Sequence, residues 1–194
     1  MYMQKNIKHV DYKHKDLVDA CALNDKKAHL KIYNLYYKAM YNTSLHIVND
    51  SFIAEDIMQE AFIDAFSKVK TFEWRSSFGS WLKRIVINKS IDSIKDKNDI
   101  VPLVDDYVEF PEENYIQDAE HIEYQLDEIR MSLKSLSANY KVIIVLHLFE
   151  GYDHQEISQI LNIPYNSVRV RYLRAKRKSL PIKNLKSTKM RNLL

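Results

Sequence analysis

The sequence predicts an all-α protein: two small helical domains joined by an acidic flexible linker, with a helix-turn-helix at the C-terminal end. Three observations carry that expectation. The chain of 194 residues holds only two glycines and four prolines, set among many Leu, Ile, Lys, Tyr and Ala residues, a composition that favours helix. Apolar residues recur at three- and four-residue spacing through most of the chain. The charge is also divided into blocks. Residues 1–97 carry 16 Lys/Arg and 12 Asp/Glu, residues 98–130 carry one and 11, and residues 131–194 carry 12 and three. The net charge of +3 conceals this division, and clustered cations, rather than a high total, are what polyanion binding requires.

The length suits one large domain or two small ones, each with a modest core. Met1 to Lys15 is polar and charged without an apolar stretch, unlike a signal peptide. The longest apolar run, Val142–Leu146, is far too short to cross a bilayer. One cysteine, Cys21, excludes a disulfide framework and allows a reducing compartment. A cytoplasmic protein without membrane insertion is expected.

Residues 16–49 read as two helices broken near Asn24–Asp25. Leu30, Tyr33, Tyr37, Met40, Tyr41, Leu45 and Val48 keep helical spacing and are expected to face a core. Asp50 and Ser51 are suitable caps for the next helix. There Ile53, Ile57, Ala61 and Ala65 make an apolar stripe, and Asp56, Gln59, Glu60 and Ile63 a neighbouring face. A carboxylate pair on such a face can hold metal in a helical bundle, but it needs a Glu-x-x-His partner that the sequence lacks. A mixed acidic and apolar face fits docking to another protein. Thr71 to Asp92 sets aromatics among Arg75, Lys83, Arg84 and Lys89. That pattern describes either a surface on which single-stranded bases stack or a buried aromatic corner. Phe72, Phe78 and Asn88 are the candidates to touch bases, with Trp81, Ile85 and Ile91 in the core.

Residues 98–114 contain two prolines and many acids and read as linker. A helix is expected from about Tyr115 to Leu136, and another from Asn139 to Phe149 with Val142, Ile143, Val145, Leu146 and Leu148 as a small core. Gly151 stops it. His147, Glu150 and His154 are weighed as metal ligands and set aside, because a helix end and a glycine turn separate them; no metal or cofactor is expected. Glu156 to Lys178 reads as a short amphipathic helix, a turn at Asn162–Pro164, and a second helix with six cations and no acid. Val168, Tyr172 and Ala175 form its packing stripe on Ile157, Ile160 and Leu161. Asn166, Arg169, Val170, Leu173 and Arg177 lie roughly opposite, where a recognition helix would face the major groove. Pro181 ends the helix.

These pieces, in this order, resemble the extracytoplasmic-function sigma factors of the sigma-70 family. The motif residues are Ala54-Glu-Asp-Ile-Met-Gln-Glu-Ala-Phe62, then Phe78, Trp81, Leu82, Arg84, Ile85, Asn88 and Asp92, then the helix-turn-helix; the resemblance spans about residues 16–180. It implies a region 2 domain over 12–97, an acidic linker over 98–127 and a region 4 domain over 128–182. By resemblance, Asp56, Gln59, Glu60 and Phe62 bind core RNA polymerase, and Phe72, Phe78, Lys83, Arg84, Asn88 and Lys89 melt and hold the minus-ten element. Asn166, Ser167, Arg169, Val170, Leu173, Arg174 and Arg177 would read the minus-thirty-five element of promoter DNA, and an anti-sigma factor would hold the protein inactive. Lys83, Ser137, Asn166 and Val170 depart from the family pattern, which leaves the promoter sequence open. The alternatives are a stand-alone helix-turn-helix regulator and an enzyme. For the enzyme, the sequence offers no phosphate-cradling glycine loop, reactive cysteine setting or paired His–carboxylate cluster.

Overall fold

Asp25 ends one helical run and starts the next. α1 (Lys15–Ala22) gives way to α2 (Lys26–Val48) through Asn24 in the left-handed region (φ 62°). Asp25 then caps α2 by accepting from the backbone N–H groups of Lys27 (2.7 Å) and Ala28 (3.3 Å), which have no partner within the helix. The break therefore falls where the sequence places it. The same device recurs at the next junction, where Asn49 closes α2 with φ 56°. Asp50 accepts from Phe52 N–H (3.0 Å) and Ile53 N–H (3.1 Å) to open α3 (Ser51–Lys68). A 3-10 turn over Val69–Thr71 leads to a loop and then to α4 (Phe78–Lys95). The computed structural model describes residues 13–95, 133 and 135–178, and no strand occurs among them. The expected linker over 98–127, most of the helix expected from Tyr115 to Leu136, and the stop at Pro181 lie outside the described residues. The chain divides into two compact units after Asp92.

In the first unit α2 packs on α1 and α3. α3 buries Ala54, Ile57, Met58, Ala61, Phe62 and Ala65, and its alanines let the helices approach closely. α4 adds Phe78, Leu82 and Val86 to the same core. The buried Ser90 hydroxyl donates to Val86 O (2.8 Å) and meets the Ser44 hydroxyl at 3.1 Å, joining α4 to α2. Gly79 is required by close approach, since a Cβ there would lie 2.8 Å from Tyr36 Cε1. Cys21 is a buried free thiol, its pKa pushed up to about 11 by burial and by the Asp25 charge, so it stays protonated and inert. Two expectations need correction. Leu30 is exposed and Ile32 takes the core position: the buried side of α2 runs through Ala28, Ile32, Met40, Thr43, Ser44 and Ile47, and Leu30 lies off it. Trp81 and Ile85 are half-buried against the core rather than inside it, because Leu82 and Val86 take the inner side of α4.

In the second unit α5 (Ala138–Ile144) continues into one π-helical turn, Val145–Phe149. Val142, Ile143, Val145, Leu146 and Leu148 are all buried, as expected. Gly151 (φ 76°) reverses the chain. α6 (His154–Leu161) then starts two residues before Glu156 because Asp153 and Glu156 form a reciprocal capping box. Asn162 (φ 53°) ends α6, and Val168 N–H bonds Pro164 O (3.2 Å) to open α7 (Tyr165–Lys178). α7 packs on α5 and α6 through Val168 and Ala175, giving the helix-turn-helix its shape.

Replacing Asp50 by Ala leaves the Phe52 and Ile53 N–H groups to water, and the expected cost is about 1 kcal/mol. Denaturant unfolding should show that loss, and Asp50→Ser should recover most of it.

Candidate nucleic-acid interface

Burial decides which side chains remain free to act. On α3 the core side is fully used, and Asp56, Gln59 and Glu60 stay exposed. Phe52 is 80% exposed and Ile63 68%. Residues 52, 56, 59 and 63 fall at helical spacing, so Phe52 and Ile63 bracket Asp56 and Gln59 on one outward stripe. Phe62 does not join them. It is 2% exposed and its ring packs against Tyr33 (4.8 Å between centroids) and Phe66 (5.8 Å). Phe62 shapes the stripe from inside, and Phe52, with no place in the motif, is a contact candidate that the sequence reading missed.

The aromatic loop before α4 combines both sequence readings. Phe78 is 1% exposed and forms the floor of the corner, with Tyr36 at 5.8 Å beneath it. Its ring therefore belongs to the core of the free chain. Phe72, Trp74 and Trp81 are half-buried around it: Phe72 lies 4.9 Å from Trp74, 5.0 Å from Trp81 and 5.8 Å from Phe78. Trp74 holds φ 53°, an unfavourable value for a bulky aromatic, in the loop that carries these rings. Trp74 and Trp81 stand beside Phe72 as the half-buried rings of the corner. Of the α4 candidates, Asn88 is exposed and Lys83 and Arg84 half-buried. Lys89 is directed elsewhere: its Nζ lies 3.1 Å from Glu60 Oε2 and 3.2 Å from Asp64 Oδ2.

On α7 the outward face is largely as expected. Asn166, Arg169 and Arg177 are exposed, and Ser167, Val170, Leu173 and Arg174 are half-buried. Arg169 sits over the Tyr165 ring, 6.0 Å from its centroid. Arg171 turns inward, 6% exposed, with its Nε lacking a hydrogen-bond partner among the described residues. The aliphatic stem of an arginine can line a core, so Arg171 shares the packing stripe with Val168 and Ala175.

The glycine turn brings His147 and His154 together, not apart. Their ring centroids are 4.7 Å apart, and Tyr172 closes the triangle at 4.8 and 4.9 Å. His147 Nδ1 pairs with Tyr152 O at 2.9 Å. No group of three metal-ligating side chains occurs among the described residues.

Residues 32–100 match the family model of sigma-70 region 2, and residues 126–178 match that of sigma-70 region 4. The chain belongs to the sigma-70 family. Within it, the relatives are extracytoplasmic-function sigma factors, and this sigma factor directs RNA polymerase to promoters. It is 28% identical over 162 residues to the ECF RNA polymerase sigma factor SigW of Bacillus subtilis (strain 168), covering 78% of this chain and 87% of the relative. It is also 28% identical over 170 residues to the RNA polymerase sigma-H factor of Pseudomonas aeruginosa, covering 82% and 88%. Two solved structures share the fold. CnrH in complex with the cytosolic domain of CnrY gives a TM-score of 0.55 at 18% identity, over 88% of this chain and 96% of that one. RpoE in complex with the anti-sigma factor NepR, from Bartonella quintana, gives 0.56 at 20% identity, over 80% and 96%. A region 2 match alongside region 4 disfavours the stand-alone regulator, since residues 54–92 are then more than scaffold. Among the described residues no helix of the sigma factor is long and apolar enough to cross a membrane.

The histidine cluster carries a pH dependence. His154 has its pKa lowered from 6.5 by burial, then by His147 and Arg169, with Asp153 opposing; the third ring, Tyr172, is itself raised by burial. A base with a depressed folded pKa binds fewer protons folded than unfolded, so the second unit keeps its full stability above about pH 6.5 and loses it on acidification below that value. Thermal melts of the full chain between pH 7.5 and 5 should show that loss, and His154→Gln should reduce it.

Proposed function

We propose that this sigma factor divides its work among three faces, each built from what the two cores leave exposed. The outward stripe of α3 (Asp56, Gln59 and Glu60, with Phe52 and Ile63 beside them) docks core RNA polymerase. Exposed acids interleaved with large apolar side chains suit a protein partner better than DNA, which the acids would repel. Phe72, Lys83, Arg84 and Asn88, together with Trp74 and Trp81, melt the minus-ten element and hold its single strand, stacking bases on rings while cations meet phosphates. Asn166, Ser167, Arg169, Val170, Leu173, Arg174 and Arg177 on α7 read the minus-thirty-five duplex. The observation that carries the proposal is the exposed Phe52–Asp56–Gln59–Ile63 stripe, because a regulator acting on duplex DNA alone would have no use for it.

Between residues 98 and 130 a balance of one Lys/Arg to 11 Asp/Glu fits a tether that passes through polymerase channels built for nucleic acid. Two readers on one tether gain from effective concentration, so each can bind weakly alone. An anti-sigma factor as inhibitor is supported by the fold neighbour that was solved with one. The protein binds promoter DNA as part of a polymerase and not as a catalyst of its own, and it works in the cytoplasm beside that enzyme.

The Asp56→Ala/Gln59→Ala pair should abolish pull-down of core polymerase while leaving promoter duplex binding by the free chain unchanged. Arg174→Ala should do the reverse, weakening duplex binding about tenfold, the scale of one lost arginine contact. Asn88→Ala should slow open-complex formation, followed by permanganate footprinting, while closed-complex affinity holds. Equal losses in both assays for any of these would remove the division of labour.

A further inference from the structure

Lys89 lies one residue from Asn88 in a cationic helix, where a phosphate contact is the ready assumption. Its surroundings argue otherwise. The ammonium is shared between Glu60 (3.1 Å) and Asp64 (3.2 Å) of α3. The Lys89 side chain is 26% exposed, against 64% for Glu60 and 37% for Asp64. Burial pulls its pKa down, but the hydrogen bonds and charges of the two carboxylates outweigh that and leave it raised, so it is protonated at any physiological pH. Glu60 and Asp64 stand at i and i+4, where like charges repel; Lys68 reaches Asp64 at 4.0 Å from within α3, and Lys89 is the cation that bridges both carboxylates from α4. With Lys68 counted, the two lysines and two carboxylates sum to zero. A phosphate brought to Lys89 would meet two carboxylates before it met a net positive charge.

We propose that Lys89 is a positioning residue and not a promoter contact. Through Asp64 and Glu60 it fixes how α4 lies on α3, so that polymerase docking on α3 also orients the strand-capturing side chains of α4. The inference rests on the three-face reading above and deepens it: Glu60 stands on the docking face, Lys89 follows Asn88, and this pairing joins the two. A hydrogen bond between Ser90 and Ser44 braces α4 against α2, and the lysine adds a second brace against α3, about 100° further round the α4 axis.

The test uses the full chain with core polymerase and follows open-complex rate, core affinity and salt dependence. Three variants are compared: Lys89→Met, Lys89→Arg, and the charge swap Asp64→Lys/Lys89→Asp. Lys89→Met should slow open-complex formation about two- to fivefold, the scale of a partly exposed ion pair, with core affinity and the salt slope unchanged. Lys89→Arg should stay near the parent. The swap should recover part of the rate, because opposite charges again face each other across the α3–α4 contact and the new cation on α3 lies one turn from Glu60, while its like-charge neighbour Lys68, also one turn away, keeps the recovery incomplete. A swap worse than Lys89→Met, with a salt slope smaller by about one, would identify a phosphate contact and overturn the proposal, as would Lys89→Met at full rate. Circular dichroism on each variant separates these results from misfolding. Asn88→Ala separates them from failure of the wider reading: if Asn88 matters and Lys89 does not, only the brace falls.

Discussion

A helix has only one face to bury, and the way each helix uses it decides everything the protein can offer outward. α3 commits its core face to Ala54, Ala61 and Ala65 with Ile57, Met58 and Phe62. Small side chains at the contact bring the axes close and leave α2 little room to cover the far side. Phe52 and Ile63 are thereby left in water next to Asp56 and Gln59. Each large apolar side chain kept exposed forgoes about 1.5–3 kcal/mol of burial, so two of them on one stripe fit the docking surface proposed for α3.

The aromatic corner applies the same constraint to a loop. A loop of half-buried rings needs a rigid floor, and Phe78, fully inside with Tyr36 behind it, provides one. Gly79 admits the Tyr36 ring at a distance no side chain would tolerate. The left-handed backbone at Trp74 is held because the core beneath over-determines the loop. Rings fixed in this way would lose little further freedom on the base stacking proposed for them.

Much of the architecture was legible in the residues. Helix breaks at Asp25, Asp50 and Gly151 follow from local backbone chemistry, and the packing stripe of α7 follows from its period. What escaped the reading depends on tertiary partners. Phe62 and Phe78 stand in motifs whose residues mix contacts with core, and nothing in the string says which is which; only burial separates them. Leu30 obeys the same spacing as Tyr33 and Tyr37, yet the core of α2 is rotated away from it. Lys89 finds its acids on another helix, Glu60 lying 29 positions away. His147 and His154 meet because a turn that looks like a separator folds back on itself. Arg171 reads as one more cation of a basic helix until its burial is seen.

That basic helix raises a last physical question: how six cations and no acid coexist on 14 residues. Carboxylates would quiet the repulsion but would cancel the field that draws in DNA. Aromatic faces offer another way. Arg169 sits over Tyr165, Lys176 over Tyr172 at 5.8 Å and Lys178 over Tyr140 at 4.7 Å. A ring attracts a cation through its quadrupole, by about 0.5–1 kcal/mol at an exposed site, without carrying a compensating charge. Arg171 contributes differently, burying its stem and thinning the outward crowd by one. Ring partners therefore hold Arg169, Lys176 and Lys178 without cancelling their charge, and because a polyanion is recognised by clustered charge, such contacts suit a helix that has to be stable and still attract DNA.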